Sequence, residues 1–156
     1  MIKSSAGGDA LTDLILTLFR VNNLTLIWGD RLVAPFGLTS ARWQVLGAIA
    51  QAERAQPVSW LARDLGANRQ NVQRIVNELN DKGLLAFEPN PHHRRAKFVV
   101  FTEKGRQAYD AAVSAYRPKA DALADGLPHA DLRVAHRVLV ELRRKLEREN
   151  DVLEQS

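Results

Sequence analysis

The chain contains no cysteine, which excludes disulfides, thiolate metal sites and thiol-based redox switches. No uninterrupted apolar run approaches the roughly 18 residues of a membrane span. The first eight residues, Met1-Ile2-Lys3-Ser4-Ser5-Ala6-Gly7-Gly8, lack the apolar stretch of a secretory signal. Residues 1–8 therefore read as a flexible tail, and a cytoplasmic location is expected, with no membrane partner. There is no internal repeat or low-complexity tract, so solenoids and collagen-like structures drop out. Neither a nucleophile–base pair nor a phosphate-cradling glycine loop is present, so an enzyme is not expected. The adjacent His92 and His93 precede two arginines with no cysteine nearby. That makes a poor cation site, and neither metal nor cofactor is expected.

What is present is a soluble-type chain of 156 residues, 46% hydrophobic and 26% charged, enough for one domain with a real core. Its net charge of +4 is unevenly spread. Between Arg54 and Arg106 stand ten Lys/Arg against five Asp/Glu, a balance of +5, and the other twelve basic and thirteen acidic residues leave −1. The positive excess sits wholly in the middle third, where a polyanion should dock.

Apolar residues at Leu11, Leu14, Leu18, Val21, Trp28 and Leu32, widened by Ile15, Leu16, Phe19 and Ile27, predict a long helix from about 9 to 34, capped by Asp9 and stopped by Pro35. So wide a stripe requires more than one neighbour. Thr39 is placed to cap a second helix ending near 52, with Leu38 and Trp43 as a hydrophobic staple. Next, Ser59 is expected to cap a short helix that Gly66 ends, and Asn68 to cap another after a turn of about three residues. Two short helices about such a turn form a helix-turn-helix.

The helix predicted over 69–82 is the most informative segment. Val72, Ile75, Val76 and Leu79 form its buried face. Opposite them lie Gln70, Gln73, Arg74, Asn77 and Asp81, a face of amides and guanidinium rather than the Glu/Lys mixture of a merely solvated helix. Gln and Asn can bind adenine bidentately and Arg can bind guanine. Gly83 ends the helix. Strands are predicted over 84–88 and 97–101, joined by Pro89-Asn90-Pro91-His92-His93-Arg94-Arg95-Ala96. This loop is too long for a tight turn and has two arginines at its tip: a wing.

Thr102 is expected to cap a helical region from about 103, broken or bent at Pro118. After Gly126-Leu127-Pro128 a last helix is predicted over 129–149, with Leu132, Ala135, Leu139, Leu142 and Leu146 at three-four spacing and Leu153 in register. His129 and His136 share a face there and read as surface or interface residues. The expected fold is mainly α with a small β wing (α+β). It is a winged helix-turn-helix over 38–102, flanked by N- and C-terminal dimerisation helices over 9–37 and 103–156, in one compact domain overall.

These segments, together with Leu38-Thr39-Ser40-Ala41-Arg42-Trp43-Gln44-Val45-Leu46, His93-Arg94-Arg95-Ala96-Lys97 and Phe101-Thr102-Glu103-Lys104-Gly105-Arg106, follow a specific order and spacing. From about Thr12 to Leu146 the chain resembles the MarR family of bacterial transcription regulators. Family wings usually carry acids where Asn90 and His93 stand, and an acid at the second place would hold the wing arginines. The lack of cysteine separates this chain from the family's peroxide-sensing branch. The resemblance implies a homodimer that binds double-stranded DNA at a pseudo-palindromic operator, in most cases a repressor, and that is often released by a small aromatic or phenolic effector.

Arg69, Gln70, Gln73, Arg74 and Asn77 are the expected base-reading residues. Ser59, Asn68, Asn71, His93 and Lys97 are expected at the DNA backbone, and Arg94 and Arg95 in the minor groove. Trp28, Trp43 and Trp60 read as core or interface, with Trp28 and Trp43 the candidates for an effector pocket. The alternative from another class is a winged-helix protein–protein module that reads no DNA. It would not need Gln70, Gln73 and Arg74 facing outward with two arginines on the wing.

Overall fold

The computed structural model describes residues 5–154. Met1 to Ser4 of the expected tail and the side chain of Leu153 lie outside the described residues. The chain divides into two units, Met1–Arg117 and Pro118–Ser156.

In the first unit, helix α1 runs Ala6–Val33 and passes into a 3-10 turn over Ala34–Phe36. Its cap is Ser5, whose hydroxyl accepts the Gly8 N–H, not Asp9; the serine stands where its oxygen reaches a free N–H of the first turn, and Asp9 becomes a first-turn acid near the positive helix end. Ser5 to Gly8, expected to be flexible, thus belong to the start of the helix. Helix α2, Ser40–Gln51, is capped by Thr39 as expected, through the Arg42 N–H at 3.3 Å. Gln56–Pro57 form a two-residue strand β1, followed directly by α3, Val58–Leu65. Ser59 therefore lies inside the first turn of α3 and does not cap it. The residue before α3 is Pro57, which offers no side-chain acceptor. Gly66 ends α3 at φ 60°, a conformation glycine adopts without a Cβ clash.

Helix α4, Arg69–Asp81, is capped by the Asn68 side chain, which accepts from the Gln70 and Asn71 N–H groups at 2.9 and 3.3 Å. Strands β2, Leu85–Glu88, and β3, Phe98–Phe101, pair antiparallel with Leu85 opposite Phe101 and Glu88 opposite Phe98. The edge strand β1 adds to the other side of β3, Gln56 opposite Val99. A proline is tolerated there because β1 is an edge.

Val33, Leu46, Leu61, Val72, Val76, Leu79, Leu85 and Val99 are almost fully buried and form the centre of one core. Each contributes about 1.5–3 kcal/mol by leaving water. They come from α1 to α4 and from both long strands, so the core holds the helix-turn-helix and the wing as one body. Helix α5, Glu103–Ala124, starts from Thr102, whose hydroxyl accepts the Gly105 N–H at 3.0 Å. Pro118 lies inside α5 without ending it; fixed near helical φ, proline costs one hydrogen bond that a long helix can lose.

In the second unit, α6 runs His129–Glu154, five residues beyond its expected end. Both terminal helices expose apolar side chains: Leu16, Phe19, Leu24 and Ile27 on α1, and Leu132, Val134, Val138, Leu146 and Val152 on α6. By length and composition, Ala6–Phe36 is apolar enough to cross a membrane, although no such run was expected. Arg20, Asn22 and Asn23 interrupt the run but not its average. The core helix of a soluble protein and a signal sequence pass the same test, and polar residues at mid-span would be costly in lipid.

Candidate nucleic-acid interface

The amphipathic division of α4 places its exposed face. Val72, Ile75, Val76 and Leu79 point into the core, so Arg69, Gln70, Asn71, Arg74 and Asn77 are exposed and Gln73 is half-buried. Several side chains of this face bond to one another. Gln73 Nε2 donates to Asn77 Oδ1 at 2.9 Å, and Arg74 Nη2 donates to Asn71 Oδ1 at 2.9 Å. Arg74 Nη1 donates to Glu78 Oε1 in a close ion pair. The other oxygen of Glu78 accepts from Arg42 on α2, Nη2 at 3.1 Å and Nε at 3.4 Å. Glu78 thus lies between two guanidinium groups. The hydrogen bond from Arg42 holds its carboxyl below the usual carboxylate range, against an opposing desolvation cost, and Arg74 adds to the lowering.

Sequence reasoning named Arg69, Gln70, Gln73, Arg74 and Asn77 but missed Glu78 and Arg42. The spacing of Arg74 and Glu78, four residues along a helix, is a legible pairing signal. Arg42 is 36 residues away from Glu78 and has no local signal. Ser59 and Asn68 stand in the first turn of α3 and at the cap of α4, one on each helix of the pair.

In the wing, the loop between β2 and β3 is two successive turns, closed by His93 N–H to Asn90 O at 3.2 Å and Ala96 N–H to His93 O at 3.0 Å. Asn90 is buried and holds both. Its Nδ2 donates to Ala96 O at 2.9 Å and its Oδ1 accepts the His92 N–H at 3.0 Å. An acid there could supply only the acceptor half of this arrangement. His93, Arg94, Arg95 and Lys97 are exposed around this frame.

Trp60, expected as core or interface, is 39% exposed on α3. The guanidinium carbons of Arg54 and Arg63 lie 5.4 and 5.7 Å from its ring centroid, within cation–π range. Trp28 and Trp43 come together through a residue not foreseen, Tyr116 of α5. Its ring meets both edge-on, with centroids 5.9 and 5.3 Å apart. Among the described residues no group of His, Asp and Glu is arranged to hold a metal ion. His129 and His136 line a hollow of about 380 Å³ on α6 with Leu132, Arg133 and Arg137.

Residues 36–96 match the model of the MarR family. An uncharacterized protein of Mycobacterium tuberculosis is 35% identical over 125 residues, covering 80% of this chain and 86% of that protein. The transcriptional activatory protein BadR of Rhodopseudomonas palustris is 32% identical over 99 residues, 62% of this chain and 57% of that one. Among solved structures, the M. tuberculosis regulator MosR in complex with DNA is similar at TM-score 0.70 and 25% identity, covering 85% of this chain and 95% of that one. CouR of Rhodococcus jostii, bound to p-coumaroyl-CoA, is similar at TM-score 0.75 and 23% identity over 83% of this chain and 91% of that one.

Proposed function

This chain belongs to the MarR family, whose members are DNA-binding transcription regulators and not enzymes, and from that premise we propose that it works as a homodimeric repressor of a pseudo-palindromic operator in the cytoplasm. The observation that carries the reading is the exposed amide-and-guanidinium face of α4 beside a wing with two exposed arginines. Helix α4 enters the major groove with Arg69, Gln70, Gln73, Arg74 and Asn77 towards base edges, while Ser59, Asn68, Asn71, His93 and Lys97 meet the backbone. Arg94 and Arg95 track the adjacent minor groove.

Two copies joined by a two-fold axis would present two reading helices about one helical turn, roughly 10 bp, apart. The apolar residues exposed on α1, and separately those exposed on α6, supply surface for a second copy, since apolar side chains gain free energy on leaving water. The effector is a small aromatic or phenolic molecule, held at the Trp28–Tyr116–Trp43 cluster. A ligand named in the related CouR structure, p-coumaroyl-CoA, has a phenolic ring. Activation is the second reading, favoured by the name of BadR.

Selection of duplexes from a random pool, followed by gel shifts at stepped salt, tests the core of this. An inverted repeat and a steep log-log salt dependence are expected. Recovery of single asymmetric half-sites, or a flat salt plot, would refute it. The unfolding midpoint should rise with protein concentration if the dimer is obligate, and a reporter carrying the recovered site separates repression from activation.

A further inference from the structure

We infer that Glu78, anchored by Arg42, is a positioning residue that fixes the guanidinium of Arg74 and so sets how sharply this protein distinguishes one base pair from another. The inference rests on the reading of α4 as the base-contacting helix.

Arginine is a long side chain, and an exposed one samples many rotamers before it can make a bidentate contact. Arg74 is restrained from both directions along α4. Asn71 accepts from Nη2 one turn before it, and Glu78 accepts from Nη1 one turn after it. Two of the five N–H groups of a guanidinium are so engaged, and the others remain for a base edge. An isolated i,i+4 pair on a helix surface is loosely held and screened. Here the carboxylate is divided between two cations, Oε1 to Arg74 and Oε2 to both Nε and Nη2 of Arg42. The second contact comes from a different helix, which removes the freedom of Glu78 to swing with Arg74.

The bland reading is an ordinary ion pair that fastens α2 to α4. Charge distinguishes the two. A carboxylate on a DNA-facing surface repels phosphate and therefore opposes non-specific binding. Removing it should leave non-specific affinity unchanged or raised, whereas loss of a positioned arginine should lower specific affinity. A fastening role would lower both together.

The test uses the full chain with Glu78→Gln, Glu78→Ala and Arg42→Met, a duplex recovered from the random pool and a scrambled duplex of equal length, at one salt concentration. The ratio of specific to non-specific affinity should fall on the order of tenfold in Glu78→Ala, less in Glu78→Gln, which keeps an acceptor, and less in Arg42→Met. Base preference should relax at one position of each half-site. Adding Glu78→Ala to Arg74→Ala should change the ratio no further. Should Glu78→Ala fail to fold, by circular dichroism and unfolding midpoint, the near-isosteric Glu78→Gln and Arg42→Met decide the matter. An unchanged or higher ratio, equal losses on both duplexes, or full additivity with Arg74→Ala overturns the inference. If Arg74→Ala itself leaves the ratio unchanged, the reading of α4 falls, and this inference with it.

Discussion

Gly105 lies so close under the carbonyl of Leu84 that a Cβ there would overlap both the oxygen and the carbonyl carbon. The same junction joins the start of α5 to the end of α4. The Thr102 hydroxyl donates to Gly83 O at 2.6 Å, and Lys104 Nζ donates to Lys82 O at 2.9 Å. The obstacle is backbone, which cannot swing aside as a side chain can. Gly105→Ala should therefore cost about 1–3 kcal/mol by overpacking. A lower urea midpoint at unchanged m-value checks it; a midpoint equal to that of the parent would show that the junction yields.

A second close approach should behave differently because the obstacle is a side chain. A Cβ on Gly29 would meet the hydroxyl of Ser40, which donates to Leu26 O at 2.8 Å and joins α1 to α2. Gly29→Ala alone should destabilise the protein. Ser40→Ala alone should cost about 0.5–1.5 kcal/mol for the lost hydrogen bond. The double variant should be more stable than the sum of the two predicts, since removing the hydroxyl makes room for the new methyl group. Strict additivity in thermal or urea unfolding would refute the close approach.

These junctions also show where a sequence stops being legible. The buried stripe of α4 and its Asn68 cap follow from periodicity and local capping chemistry, which are encoded within a dozen residues. Strand β1 does not: two residues, one of them Pro57, carry no alternation, and only the pairing with β3 defines them. Without β1, Ser59 looked like a cap, yet α3 begins one residue before it. Tyr116 between Trp28 and Trp43, and Arg42 on Glu78, join segments far apart in the chain, and no local pattern announces either contact. Asn90 was legible as a departure from acidic wings. Its use of both amide groups was not, because the two turns it closes appear only in the folded loop.

The ion-pair network should leave a pH signature in stability. The folded-state pKa of Glu78 is lowered from the ordinary glutamate value by the hydrogen bond from Arg42 and by Arg74, against the desolvation cost. Its contribution is therefore fully present above the unfolded value and is lost as pH falls through the lower folded value. Glu78→Gln should thus unfold at lower urea than the parent near neutrality. The gap should close as the solution is made strongly acid. A gap that stays constant down to acid pH would mean that charge on Glu78 plays no part.

The wing and the reading helix should fail in different ways, and Asn90 allows the wing to be tested without touching its charge. If α4 reads bases as proposed, Gln73→Ala removes one such contact, so it should cost about 1–3 kcal/mol on the specific duplex and relax base preference. Binding to scrambled DNA should change little, because phosphates supply most of it. Arg95→Ala should weaken binding and alter mainly the tolerance for A·T-rich flanks, since a minor-groove arginine senses groove width. Asn90→Ala leaves every positive charge in place but unpairs Ala96 O and the His92 N–H. It should reproduce the flank effect of Arg95→Ala while keeping more of the non-specific affinity. Amide exchange at His92 and His93 should quicken, with the global unfolding midpoint nearly unmoved, since the loop lies at the edge of the core. The comparison is one selection experiment per variant, at one salt concentration and neutral pH. If Asn90→Ala leaves flank preference intact although those amides exchange faster, the shape of the wing does not matter, and Arg95 acts through its charge alone.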